Sequence, residues 1–372
     1  MAAVMAVVAA ALAVGGAPAR AGGSADVVRQ ALVHLVRDDG YPAALAADRG
    51  RHGRIRHYTA GVADLRTGAE VPVNGQVRVG SNTKTFTATV VLQLVGEGRV
   101  ALGAPVEKYL PNLVRGKGID GRRITVRQLL QHTSGLPNYT DFIGDPTGKE
   151  RHTYVRPRAL LDLALAHKAH FAPGARWEYS NTNYLLAGLI IEKVTGRPLA
   201  EEITRRVIER IGLRHTYFPA AGDESIREAH PEGYAAKGGG VMKNITELDP
   251  SWAWAAGQMI STPGDLNRFF SALLGGRFLR PAQLARMRTT VAVPAGRLWP
   301  GARYGLGVIG TPMSCGGLMW GHGGDIPGYG TRTGVTDDGR AFTVAVTADS
   351  DSAPVRQGPA DVQAAVDTAL CR

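Results

Sequence analysis

Ser81 and Lys84 lie three residues apart in Val79-Gly80-Ser81-Asn82-Thr83-Lys84-Thr85-Phe86. At that spacing a hydroxyl nucleophile and its base can share one helix face, with Cβ atoms about 5–6 Å apart. A serine hydroxyl is a weak nucleophile until a base takes its proton. A lysine can be that base only when neutral, and burial and the positive end of a helix dipole both lower its pKa. The apolar run Phe86, Val90, Val91, Leu94 and Val95 predicts a buried helix ending near Gly96, with Ser81 in its first turn. Ser-x-x-Lys also arises by chance, so other stretches must decide.

Two do. Tyr179-Ser180-Asn181 precedes a helix expected from Tyr184. A loop tyrosine beside an asparagine can shuttle a proton and clamp an amide, or simply pack and cap. Gly321-His322-Gly323-Gly324-Asp325 closes a strand-like run. Gly323 and Gly324 would let a substrate backbone approach closely, while a histidine in such a turn is more often structural.

These residues need elements to hold them. Val27–Val36 reads as an amphipathic helix. Tyr41–Ala47, Ile55–Ala63 and Gln76–Val79 read as strands broken by turns, an antiparallel opening. From the Ser81 helix to about Gly257 the signals are mostly helical: Val126–Gln131 opened by Thr125, Ala159–Lys168, Tyr184–Val194 stopped by Gly196, and Ala200–Ile211. Asp265–Leu274 is one more helix. Strand signals return at Tyr304–Ile309, Leu318–Trp320, Gly330–Val335 and Ala341–Thr347, before a terminal helix at Pro359–Leu370. This predicts an α+β fold whose sheet draws on both ends of the chain, about 26–88 and 258–372, with a helical region inserted at about 89–257.

The formal net charge is +11, scattered as arginines without aromatic interleaving. That is a basic surface suited to an anionic cell wall, not a nucleic-acid groove. Ala2–Ala17 has the length of a secretory apolar region, and Ala19-Arg20-Ala21 offers a cleavage site, so 1–21 reads as a signal peptide and 22–372 as the exported domain. No later stretch is long enough to anchor the product in a membrane. The only cysteines are Cys315 and Cys371. An even count in an exported chain favours a disulfide, with two buried thiols as the other reading. No Cys/His cluster has metal-ligand spacing and no phosphate loop appears, so neither metal nor cofactor is expected.

In this order, Ser-x-x-Lys, Tyr-x-Asn and His-x-Gly resemble the active-site set of the serine penicillin-recognising enzymes. The chain is similar in particular to secreted D-alanyl-D-alanine carboxypeptidases and class C β-lactamases. The likeness includes Leu129–Leu136, Phe171–Asn181, Tyr184–Gly196, Trp252–Thr262 and Tyr304–Gly307, and runs from about Asp26 to Cys371. It implies a β-lactamase/transpeptidase-like fold, an antiparallel sheet flanked by helices. It also implies Ser81 as nucleophile, Lys84 as base and Tyr179 as proton carrier. Asn181 would hold the substrate amide, and His322 would complete the proton and charge network. The backbone N–H groups of Ser81 and Asp325 would form the oxyanion hole. Trp252 matches a cleft wall, with a core aromatic as the other reading. The cysteine pair is similar to the disulfide of the carboxypeptidase branch.

The sequence departs from that branch twice. Gly323 stands where a hydroxyl residue is usual, and Val308–Cys315 lacks the arginine that would meet a terminal carboxylate. Arg332 is either a substitute cation or a solvated surface residue. The leading expectation is a secreted, cell-wall-associated, monomeric D-alanyl-D-alanine carboxypeptidase. It would act on peptidoglycan stem peptides and be inhibited by β-lactams. The alternative is a serine esterase, peptide-tailoring or D-aminoacyl hydrolase acting on small esters or amides. A non-catalytic penicillin-binding sensor fits the intact Ser81, Lys84 and Tyr179 less well.

Overall fold

The computed structural model describes residues 23–236, 240–348 and 359–372, so the expected signal peptide lies outside the described residues. The sheet is built from β1 (Ala43–Arg49), β2 (Ile55–Asp64), β3 (Ala69–Glu70), β4 (Val291–Ala292), β5 (Arg303–Tyr304), β6 (Ile309–Pro312), β7 (Leu318–Gly321), β8 (Gly323–Ile326), β9 (Tyr329–Thr336) and β10 (Ala341–Val346). Its order is β4-β5-β6-β7-β9-β10-β1-β2-β3, with β8 paired to β9. Every pairing is antiparallel. The seam joining the chain's two ends is β1–β10, in register from Ala44 opposite Val346 to Arg49 opposite Ala341.

Side chains alternate across a strand, so a strand covered on both faces must be apolar throughout. β1 is such a strand. Ala44 and Ala46 pack with α1 (Gly23–Arg37) and the terminal helix, through Val28, Leu32, Val362 and Val366. Ala43 and Leu45 face the larger core, which holds α2 (Thr83–Gly96), α3 (Asn181–Thr195) and α4 (Pro263–Leu274). The fold is therefore the expected α+β arrangement, a β-lactamase/transpeptidase-like sheet with helices on both faces.

Three local readings change. Ser81 sits in a short 3₁₀ turn, Gly80–Asn82, directly before α2, not in the helix's own first turn. Tyr304–Ile309 is not one strand: Gly307, at φ +78°, turns the chain between β5 and β6. A Cβ there would meet Ala88 and the Tyr184 hydroxyl within 3 Å, so only glycine lets this turn press on α2. The glycine-rich stretch after His322 is no turn but strand β8, which lies against the Ser81 turn.

Candidate active site

Helix α2 is buried along almost its whole length, from Thr83 to Leu94. Two of its threonines are bonded outward, Thr85 Oγ1 to the Gly307 carbonyl (2.7 Å) and Thr87 Oγ1 to the Ala255 carbonyl (2.8 Å). Lys84 is therefore held away from water, and burial pushes its pKa well below the ordinary lysine value. Its Nζ lies 2.9 Å from Ser81 Oγ, 2.7 Å from Asn181 Oδ1 and 2.8 Å from the Ala256 carbonyl oxygen. The last two atoms can only accept. A neutral amine gives its two hydrogens to them and keeps its lone pair for the Ser81 hydroxyl.

The orientation of Asn181 is fixed in turn. Its backbone N–H donates to Asn138 Oδ1 at 2.9 Å, so that oxygen is an acceptor, and Asn181 Nδ2 donates to it at 3.2 Å. Asn181 Oδ1 is then left for Lys84. Tyr179 is half-buried beside Ser81 at the cleft, and its ring lies 4.8 Å from Lys84 Nζ. Loss of solvent raises its pKa above the ordinary tyrosine value, against the lowering effect of the neighbouring Ser81 hydroxyl, so the resting group is a phenol.

Strand β8 seats its backbone against the Ser81 turn. A Cβ at Gly324 would lie 2.0 Å from the Val79 carbonyl oxygen and 2.8 Å from the Ser81 amide nitrogen. A Cβ at Gly80, itself at φ +49°, would lie 2.8 Å from the Asp325 amide nitrogen. The two glycines bring the Ser81 and Asp325 amides into neighbouring positions, as two donors to one oxyanion must be.

Ser81, Tyr179, Asn181, His322, Gly323 and Asp325 line one cleft of about 380 Å³, walled by Trp177 and Trp299. Trp252 lines a small adjoining cavity with Ser81, Asn181 and Asp325, which favours the cleft-wall reading over a core aromatic. A larger groove of about 760 Å³, lined by Arg205, Arg206, Arg210, Arg277 and Arg280, holds none of these residues.

Arg332 is not the solvated surface residue: it is 2% exposed. Its Nη1 donates to Asp325 Oδ1 at 3.0 Å and to the Thr331 carbonyl at 2.7 Å. It lines the next cavity with Trp299 and Asp325. His322 is buried too, but none of its bonds runs to Ser81, Lys84 or Tyr179 among the described residues. Nε2 lies 2.9 Å from the Tyr304 hydroxyl, and Nδ1 donates to the Gly323 carbonyl. Burial is the main cause that holds its pKa down at about 3, opposed by the Gly323 bond, with Arg332 and Lys84 adding to the depression. The ring is neutral and adds no charge to the cleft.

Sequence reasoning named no role for Asn138, Tyr304 or His132. His132 and Tyr304 stand in the stretches Leu129–Leu136 and Tyr304–Gly307, but only the assembled fold gives them partners. Cys315 and Cys371 form a disulfide tying the C-terminus to the β6–β7 turn. Among the described residues no cluster could hold a metal ion, and no helix is long and apolar enough to cross a membrane.

The family model described as Beta-lactamase matches residues 28–368. Among solved structures, a D-stereospecific amidohydrolase from Streptomyces sp. is 42% identical with a TM-score of 0.81, over 87% of this chain and 94% of that one. Esterase EstB from Burkholderia gladioli is 29% identical over 310 residues, 73% of this chain and 78% of that protein. Protein flp from Staphylococcus aureus is 30% identical over 209 residues, 56% of this chain, so the match spans only 41% of that relative's length. With a buried Lys84 bonded to Ser81 in the cleft, a tyrosine phenol lining the same cleft and two neighbouring backbone amides, the chain belongs to the Beta-lactamase family and is a serine hydrolase of that fold.

Proposed function

We propose that this chain is an exported serine amidohydrolase that releases D-configured acyl groups from amides and esters through a Ser81 acyl-enzyme. The observation that carries the mechanism is the arrangement around Lys84, whose two acceptors leave its lone pair for the Ser81 proton. Ser81 Oγ attacks the carbonyl carbon as Lys84 takes its proton. The Ser81 and Asp325 amides hold the oxyanion. The phenol of Tyr179 passes its proton to the leaving nitrogen and recovers one from Lys84. Water then attacks the acyl-enzyme by the reverse transfers.

The D-configuration rests on likeness to the Streptomyces enzyme over nearly all of both chains. A preference for amides and esters over free-acid peptides rests on Arg332, whose charge is already met by Asp325 at 3.0 Å. A carboxypeptidase needs an unopposed cation or several donors for its terminal carboxylate. Export to the cell wall, a monomeric state and acylation by β-lactams belong to the same proposal.

The test is a matched set of substrates: D- and L-phenylalanine amide, and a D-Ala-D-Ala peptide beside its C-terminal amide. Intact-mass spectrometry should trap an acyl adduct on Ser81. The expected result is a D-over-L preference of at least roughly tenfold in kcat/KM, about 1.4 kcal/mol, with the peptide amide turned over at least as well as the free acid. A strong free-acid preference would restore the carboxypeptidase reading. Turnover that survives Ser81→Ala would remove both.

A further inference from the structure

Behind the cleft, His132, Tyr304 and His322 form one buried hydrogen-bond chain, with a backbone group at each end and the Asn183 amide beside the first. At one end His132 Nδ1 faces the Ser180 N–H at 3.2 Å and Asn183 Nδ2 at 3.0 Å, so it accepts. A neutral His132 then carries its hydrogen on Nε2, which lies 3.2 Å from the Tyr304 oxygen. Tyr304 is left to donate its own hydrogen to His322 Nε2 at 2.9 Å. At the other end His322 Nδ1 faces the Gly323 carbonyl, which only accepts, so Nδ1 bears the hydrogen. Every hydrogen in the chain points the same way.

We propose that Tyr304 and His132 are positioning residues that lock His322 as its neutral Nδ1–H tautomer, making it a fixed wall of the cleft instead of a proton donor. Adding a proton to His322 Nε2 would set two N–H groups against the single Tyr304 oxygen and force its hydroxyl to turn away. The charged and titratable groups around the ring oppose a positive charge as a set. Arg332 comes from β9, Lys84 from α2, and Tyr304 and His132 lie behind. Asp325 is the nearby counter-charge lining the cleft, and it is taken up by Arg332. His132 also braces Tyr179, on which its ring stacks with centroids 4.3 Å apart. It holds φ +58°, a left-handed conformation that a non-glycine residue keeps only where its surroundings enforce it.

This inference rests on the Ser81 acyl-enzyme reading only for its kinetic arm; the spectroscopic arm is independent of any substrate. The full chain, labelled with ¹⁵N-histidine, would be titrated by NMR from about pH 5 to 8, the range in which an ordinary histidine changes charge. The His322 signals would be assigned by their loss in His322→Gln. The expected result is an unprotonated Nε2 and a protonated Nδ1 throughout. In Tyr304→Phe the ring loses the donor to Nε2, so its hydrogen should redistribute between Nδ1 and Nε2, read from the ¹⁵N shifts, while burial keeps the ring neutral. A tautomer unchanged by Tyr304→Phe would overturn the positioning role. The Gln amide can accept from Tyr304 and donate to Gly323, so His322→Gln should cost less than about tenfold, against the roughly 10²–10⁴-fold of a proton-transfer group. A wild-type ring that titrates in this range, or carries its hydrogen on Nε2, overturns the proposal. So does a His322→Gln loss of proton-transfer size. If Tyr304→Phe does not fold, the wild-type spectrum alone decides.

Discussion

Gly323 and Arg332 are register partners across β8 and β9, and the arginine occupies the space that a side chain at 323 would need. A Cβ on Gly323 would stand 3.0 Å from Arg332 Cδ and 3.2 Å from Nη1. The missing side chain at 323 and the position of Arg332 are therefore one feature of the cleft, not two. A guanidinium tied to Asp325 fills the space beside Gly323.

Because of that relationship, a threonine at 323 would not simply supply the missing hydroxyl. Gly323→Thr should instead push Arg332 off Asp325 and cost about 1–3 kcal/mol of stability, as overpacking does. Urea denaturation beside Arg332→Ala checks this. The double variant Gly323→Thr/Arg332→Ala should recover part of the loss, because the obstructing side chain is gone. Full additivity of the two single losses would count against the contact.

Lys84 makes a prediction about stability as well as rate. Its folded pKa is depressed by burial, while the unfolded value is about 10.4. Between the two, the unfolded chain binds more protons, so stability rises with pH and levels off above the unfolded value. Lys84→Met should abolish that slope, read as unfolding free energy against pH. The same change should lower kcat by roughly 10²–10⁴-fold. In the parent, kcat/KM should fall as pH drops through the folded pKa, because protonated Lys84 has no lone pair for Ser81.

Gly324→Ala should separate the two oxyanion donors. The added methyl meets the Val79 carbonyl and the Ser81 amide, which are backbone and cannot swing aside. Loss of one donor in comparable sites costs about 10²–10³-fold in kcat. The expected pattern is a fall in kcat with a folded circular-dichroism spectrum. An active Gly324→Ala would mean that β8 does not press on the Ser81 turn.

Reducing the Cys315–Cys371 disulfide should lower stability. The bonded residues are 56 apart, which corresponds to about 4 kcal/mol in the chain-entropy picture and commonly less in practice. Cys315→Ser/Cys371→Ser should melt below the parent, with kcat little changed because the bond lies outside the cleft. Equal melting points with and without reductant would show that the tie adds nothing.

What the sequence determined by itself was local. Three-residue spacing puts Ser81 and Lys84 together wherever the helix lies, and the apolar run behind them requires that helix to be buried. Alternating and apolar runs at both ends of the chain were enough for the α+β sheet, because period and turn residues are short-range properties. The rest depended on contacts between distant segments. Lys84 has the Ala256 carbonyl and Asn181 as its acceptors, 172 and 97 residues away. His322 and His132 become hydrogen-bond partners of one chain only because Tyr304 stands between them, and burial keeps both rings neutral. Arg332 read as a surface residue because nothing near it in sequence neutralises it except Asp325, seven positions back, and a β-hairpin had to fold to aim that carboxylate at it. A pKa or a hydrogen's direction is set by burial and by partners in space, and neither is written in the spacing along the chain.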